Sequence, residues 1–233
     1  MRRIFLDTET TGLDHRTGDR VIEIGCVEML ERQRTERHFH AYLNPEREVG
    51  AGAIAIHGLT DEFLADKPTF AQVANDLIEF VHGAELVIHN ATFDTGFLDN
   101  ELGLIGKERL ETHCAGILDS LKMARNLRPG KKNNLNALCA EFGVDNSART
   151  RHGALRDAEL LALVWLAMTQ GQETMIFVSG VDAALQQTTS HSRPPLIVIH
   201  AADEELRQHE RVIAEINNES KGKCVWGTFT ATT

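Results

Sequence analysis

The chain has 233 residues, 42% hydrophobic and 25% charged, ordinary globular proportions and enough length for one good-sized domain with an appendage. A formal charge of −10 argues against a general nucleic-acid binder that works by neutralising phosphates. It leaves room for an enzyme that meets phosphate through metal ions, whose charge reverses the local field.

No apolar run approaches a membrane span, and no signal-peptide core follows Met1-Arg2-Arg3. Cys26, Cys114, Cys139 and Cys224 are far apart, with no CxxC pair, so a cytoplasmic protein with reduced, mostly buried thiols is expected.

Residues 4–10 read as a first strand, apolar through Leu6 and then carrying Asp7 and Glu9. Residues 21–28 alternate apolar and polar, as a half-buried strand does, and a third strand is expected around 38–43, stopped by Asn44-Pro45. Three strands with short links predict an antiparallel meander. Residues 49–58, rich in Gly and Ala, read as a loop ending in His57-Gly58. A short helix is expected over 61–65 and a longer one over 69–82, with Phe70, Val73 and Leu77 on one stripe. Residues 85–90 read as a short apolar strand, followed by a helix over 92–102 with Asp94 in its first turn.

Another helix, led by a strand-like approach, is expected over 113–126, followed by the basic turn Pro129-Gly130-Lys131-Lys132. A short helix over 135–142 is closed by Gly143, and a strongly apolar helix over 154–168 follows His152. The pattern predicts an α/β fold over 1–170, a mixed sheet with helices on both faces. From Gly171 the composition changes. Residues 171–195 read as a flexible linker. Residues 196–233 read as a strand, a helix over about 203–218 and a strand, too few to bury a core alone.

Asp7 and Glu9 lie two apart on a strand, so both carboxylates enter one small volume. Their repulsion is relieved by a divalent cation, and oxygen ligands select Mg²⁺ or Mn²⁺. The alternative is a strand end running into solvent. Asp157 lies one turn inside the last apolar helix, on the side of Leu161 and Val164, where an unpaired carboxylate is costly. Taken alone, Asp94 fits an acid facing a helix dipole, and His152 fits a polar cap. Together the five are a strong signal, because a mixed sheet can gather all of them.

Asp7-x-Glu9-Thr10-Thr11-Gly12, His89-Asn90-Ala91-x-Phe93-Asp94 and His152-x4-Asp157 resemble the motifs of the DEDD-type 3′→5′ exonucleases, in the subclass with a histidine base. The sister subclass uses a tyrosine, and the one tyrosine here, Tyr42, lies in an early strand. The resemblance covers nearly the whole chain and is closest to the proofreading branch that serves bacterial DNA polymerase III. It implies a ribonuclease H-like fold and two divalent ions, Mg²⁺ or Mn²⁺, held by Asp7, Glu9, Asp94 and Asp157. It implies His152 as the base that takes a proton from the attacking water. It also implies that a single-stranded or frayed 3′ end of DNA meets Asp7, Glu9, Thr10, His57 and Asp157. Related chains can carry an acid five positions before the histidine of the His-Gly loop, where this chain has Gly52.

Partners are implied beyond residue 170. The stretch Gln172-Glu173-Thr174-Met175-Ile176-Phe177 looks like a sliding-clamp-binding peptide anchored by Gln172, Met175 and Phe177. The end of the chain, with Trp226 as an aromatic anchor, resembles the segment that docks the polymerase catalytic (alpha) subunit. A small third core subunit is compatible with the same resemblance. Two other readings compete. A free-standing exoribonuclease of the same superfamily needs no docking tail. A non-catalytic scaffold predicts a damaged acid or a missing His152, and none is damaged.

Overall fold

The computed structural model describes residues 1–147, 151–170 and 201–220. The chain divides into two units, Met1–Ser179 and Gly180–Thr233. In the first, β1 (Arg2–Thr10), β2 (Val21–Leu30), β3 (Gln33–Tyr42), β4 (Glu85–Ile88) and β5 (Gly116–Asp119) form one sheet, in the order β3-β2-β1-β4-β5. The first three strands pair antiparallel, as the expected meander requires, and β1, β4 and β5 run parallel.

The central strand β1 is buried on both faces, which is why Ile4, Phe5 and Leu6 form an unbroken apolar run. Ile4 and Leu6 pack with Leu77 and Val81 of α3 (Phe70–Val81) and with Phe97 and Leu102 of α4 (Ala91–Leu104). Phe5 faces the other way. It joins Ala124 of α5 (Ser120–Leu127), Leu138 of α6 (Leu135–Phe142) and Leu161 and Trp165 of α7 (Ala154–Thr169). Phe5 and Trp165 meet edge to face, with ring centroids 5.8 Å apart. Full burial of one such side chain stabilises by roughly 1.5–3 kcal/mol.

Three expectations are corrected. Residues 49–58 are not a loop: a helix, α1 (Ala51–His57), runs between Gly50 and the left-handed Gly58. Gly50 and Gly58 bound the helix, and Gly52 sits inside it without breaking it. A four-residue helix, α2 (Asp61–Leu64), follows. The helix expected over 113–126 starts only at Ser120, after β5. Asp119 caps it by accepting from Leu121 N at 2.9 Å and Lys122 N at 3.2 Å. A four-residue apolar strand cannot be told from a helix start by periodicity, and its pairing with β4 decides the matter. Strand β3 also begins earlier than expected. It lies at the sheet edge and is largely exposed, so it carries little alternation.

The described part of the second unit is α8 (Asp203–Glu219), close to the expected helix. The linker, the peptide with Gln172, Met175 and Phe177, and Trp226 lie outside the described residues. Among the described residues, no helix is long and apolar enough to cross a membrane.

Candidate active site

The site forms where β1 and the parallel β4 end, the usual place for a ligand crevice in such sheets. Asp7 and Glu9 point to the α7 face, and Thr8 between them points to the α4 face. Across the ladder, Asp7 pairs with Gly25 and Glu9 with Glu23.

Gly25 explains how α7 reaches these acids. A Cβ at this position would lie 2.1 Å from Leu155 N and 2.2 Å from the Ala154 carbonyl carbon. Only a residue without a side chain lets the first turn of α7 rest on β2 beside Asp7. That contact brings the loop before α7 and the helix's first turn onto Glu9. Donor atoms of Glu9, His152 and Asp157 all lie within 4.8 Å of one another. His152 Nδ1 is 3.4 Å from Asp157 Oδ2. Both carboxylates are buried, while the His152 side chain is 47% exposed. Asp7 sits half-buried on the same face and is not one of the three whose donor atoms converge.

Asp94 arrives from the other side. Asn90 adopts a left-handed conformation (φ 70°), which asparagine tolerates, and turns the chain from β4 straight into α4. Asp94 then falls in the first turn, buried against β1. Its Oδ1 accepts from Thr8 Oγ1 at 2.7 Å and from Thr8 N at 3.1 Å. Burial pushes its carboxyl up to about 7, against the lowering effect of the Thr8 hydrogen bonds. Glu9, Asp157 and His152, donors of hard or borderline type, thus meet at one strand end, with Asp7 on the same face and Asp94 held by Thr8 on the other. The set fits divalent cations, whose charge would offset the desolvation felt by Asp94.

Beside them is a cavity of about 400 Å³ bordered by Glu9, Thr10, Leu13, Gly52, His57 and Phe93. His57 closes α1 and is buried; its Nδ1 accepts from Leu59 N at 3.0 Å. Burial lowers its pKa, so the ring is neutral near pH 7, and among the described residues its Nε2 has no hydrogen-bond partner. Thr10 Oγ1 donates to Gly12 O at 2.6 Å, which fixes the turn at the cavity wall. A Cβ at Gly52 would meet open space, so this wall is wider than an acidic side chain would leave it.

Three residues of this site escape a motif reading: Thr8, Gly25 and Glu23. Thr8 was in view, because alternation sends it opposite Asp7 and Glu9. Gly25 had a signal too, since an isolated glycine inside a strand marks a close backbone approach. Glu23 had none. It is a buried carboxylate opposite Glu9, 2.8 Å from His40 Nε2.

The chain is similar to known proteins over the residues that carry this site. The model of the exonuclease family RNase T matches residues 4–165, a span that holds every acid and the histidine described above. The chain belongs to this exonuclease family. The DNA polymerase III epsilon subunit of Escherichia coli is 46% identical over 237 residues, covering 97% of each chain. That of Haemophilus influenzae is 42% identical over 241 residues, covering 97% of this chain and 94% of that one. Within the family, the chain falls among the DNA polymerase III epsilon subunits.

A solved structure of Exonuclease X in complex with 5′-overhanging duplex DNA aligns with a TM-score of 0.56 at 26% identity, covering 72% of this chain and 90% of that one. The zinc-bound E. coli ExoI–ssDNA complex aligns at 0.64 with 18% identity, covering 76% and 42%, and shares the fold.

Proposed function

We propose that this chain is the proofreading 3′→5′ exonuclease of a bacterial replicative polymerase, removing mispaired 3′-terminal nucleotides as 5′-monophosphates. The observation that carries this reading is the convergence of Glu9, His152 and Asp157 beside a nucleotide-sized cavity. Asp7, Glu9, Asp94 and Asp157 would hold two divalent ions, Mg²⁺ or Mn²⁺. When bound, such ions supply Lewis-acid charge at the scissile phosphate.

The chain's own groups supply the rest. The half-exposed His152 ring can reach a water, and the Asp157 carboxylate 3.4 Å from Nδ1 orients the ring. His152 therefore takes the proton as the water oxygen bonds to phosphorus and the bond to the preceding 3′ oxygen breaks. A base so placed is worth ~10²–10⁴-fold. Thr10 and His57 border the space proposed for the terminal nucleotide, and Asp7, Glu9 and Asp157 would hold the ions that face its phosphate. A mispaired end leaves the duplex at lower cost, so a site built for single strand removes errors preferentially.

Residues 171–195 would form a linker whose Gln172, Met175 and Phe177 engage the sliding clamp. Residues 196–233, with Trp226, would dock the polymerase III alpha subunit. The 97% coverage by epsilon subunits supports a shared layout in a cytoplasmic replication complex. Limited proteolysis is expected to cut within 171–195 and to spare 1–170; equal cutting inside 1–170 would refute this division.

The activity test uses 3′-labelled primers, matched and mismatched, with Mg²⁺, for the intact chain and Asp7→Ala, alongside an RNA oligomer. Mononucleotide release from the mismatched DNA end, abolished by the substitution, is the expected result. Faster attack on RNA, or no Mg²⁺-dependent release at all, would overturn it.

A further inference from the structure

A second cavity, of about 690 Å³, lies beyond Asn90, between α5 and the basic turn. Arg125 and Lys131 reach its rim, and His89, Asn90 and Asn134 line it. The surrounding charges are ordered in a particular way. Arg128 is committed to Glu141 at 2.7 Å, and Asp119 is committed to α5, capping Leu121 N with one oxygen and standing 4.0 Å from Lys122 Nζ with the other. Among the described residues, Arg125 and Lys131 are exposed and neither has a carboxylate within ion-pair range. Burial keeps His89 neutral, with Nδ1 at 3.0 Å from Ser120 Oγ. Two uncompensated cations beside amide groups, in a chain of charge −10, make an anion site against the overall field.

This cavity is linked to the terminal-nucleotide cavity. A third hollow of about 340 Å³ shares Leu13 and Phe93 with that cavity and Asn90 with the basic one. The three lie in series along the ends of β1 and β4. We infer that the basic cavity is a phosphate subsite for the cleaved strand itself, holding backbone phosphates a few nucleotides upstream of the scissile bond through Arg125 and Lys131. The inference rests on the exonuclease reading above and assigns that enzyme a preferred minimum substrate length. It also reconciles an acidic protein with a nucleic-acid strand, because the attraction is confined to one groove rather than spread over the surface.

The test compares the full chain with its Arg125→Ala/Lys131→Ala variant on 3′-labelled DNA of two, four and six nucleotides in Mg²⁺. The intact chain is expected to show a lower KM for four and six nucleotides than for two. In the variant that length preference should shrink about tenfold. The slope of log KM against log salt for the hexamer should fall by about 1.4, as loss of two single-strand phosphate contacts requires. An unchanged length preference and salt slope would overturn the subsite while leaving the exonuclease in place. Equal damage at every length would also overturn it, since the residues would then act on the fold or the chemistry. An intact chain inactive on all three lengths would sink the exonuclease reading, a separate result.

Discussion

Asp94 and His152 reach the same end of the sheet by opposite means. Asp94 is locked: it is buried in the first turn of α4 and held by two hydrogen bonds from Thr8. Its helix is tied to β2 as well, because Glu101 accepts from Arg20 Nε at 2.7 Å, Arg20 Nη2 at 2.8 Å and Val21 N at 3.1 Å. His152 hangs on a loop, half exposed, and depends on how closely α7 settles on Gly25. The difference follows from the tasks. Groups that hold charge gain from a rigid, dry frame, whereas a group that collects a proton must meet water.

The contrast breaks most completely at Gly25. Gly25→Ala places a methyl inside the α7 backbone, so α7 must lift. Exonuclease activity is expected to fall a thousandfold or more, with about 1–3 kcal/mol lost in denaturant unfolding. Unchanged activity would show that α7 does not depend on this contact.

His152→Ala should be milder and cleaner. Rates should drop ~10²–10⁴-fold in single-turnover assays, with stability within about 0.5 kcal/mol of the parent. A large loss of stability would mean that the loop is part of the frame after all.

On the locked side, Glu101→Gln leaves Arg20 without its charge partner in a buried setting. A loss of about 3 kcal/mol is expected in unfolding experiments, larger than the accompanying loss of activity. A near-neutral outcome would deny that α4 is anchored there.

Asp94 offers the subtlest test. Its folded value of about 7 lies above the ordinary 3.8, so the folded state binds the proton more tightly than the unfolded state does. Metal-free stability should therefore fall as pH rises from about 4 to about 7 and level off above that. Asp94→Asn removes this slope. At pH 8 the variant should be more stable than the parent, on the order of 2 kcal/mol, while losing activity. Parallel stability–pH curves would refute the desolvation argument.

Much of this contrast was legible in the residues. Asp157 stands out because a carboxylate on an apolar helical stripe demands a partner, and Asp7 with Glu9 because a strand puts them on one face. The helix Leu135–Phe142, with its Asn134 cap and left-handed Gly143, agrees at both ends with its own punctuation. What could not be read depends on contacts distant in sequence. Strand β5 exists because β4 is there to pair with it. Residues 51–57 wind into α1 although glycines flank and interrupt them. Gly25 signals a close approach without naming Ala154 and Leu155 as what approaches.

These acids form a site for divalent cations only if calorimetric titration of the intact chain with Mn²⁺ at pH 7 shows it. Saturable uptake of two ions is expected, with fractional proton release, seen by varying the buffer, because Asp94 is partly protonated there and must give up its proton. Glu9→Gln should weaken that uptake severely. No saturable binding, or binding indifferent to Glu9, would contradict the account.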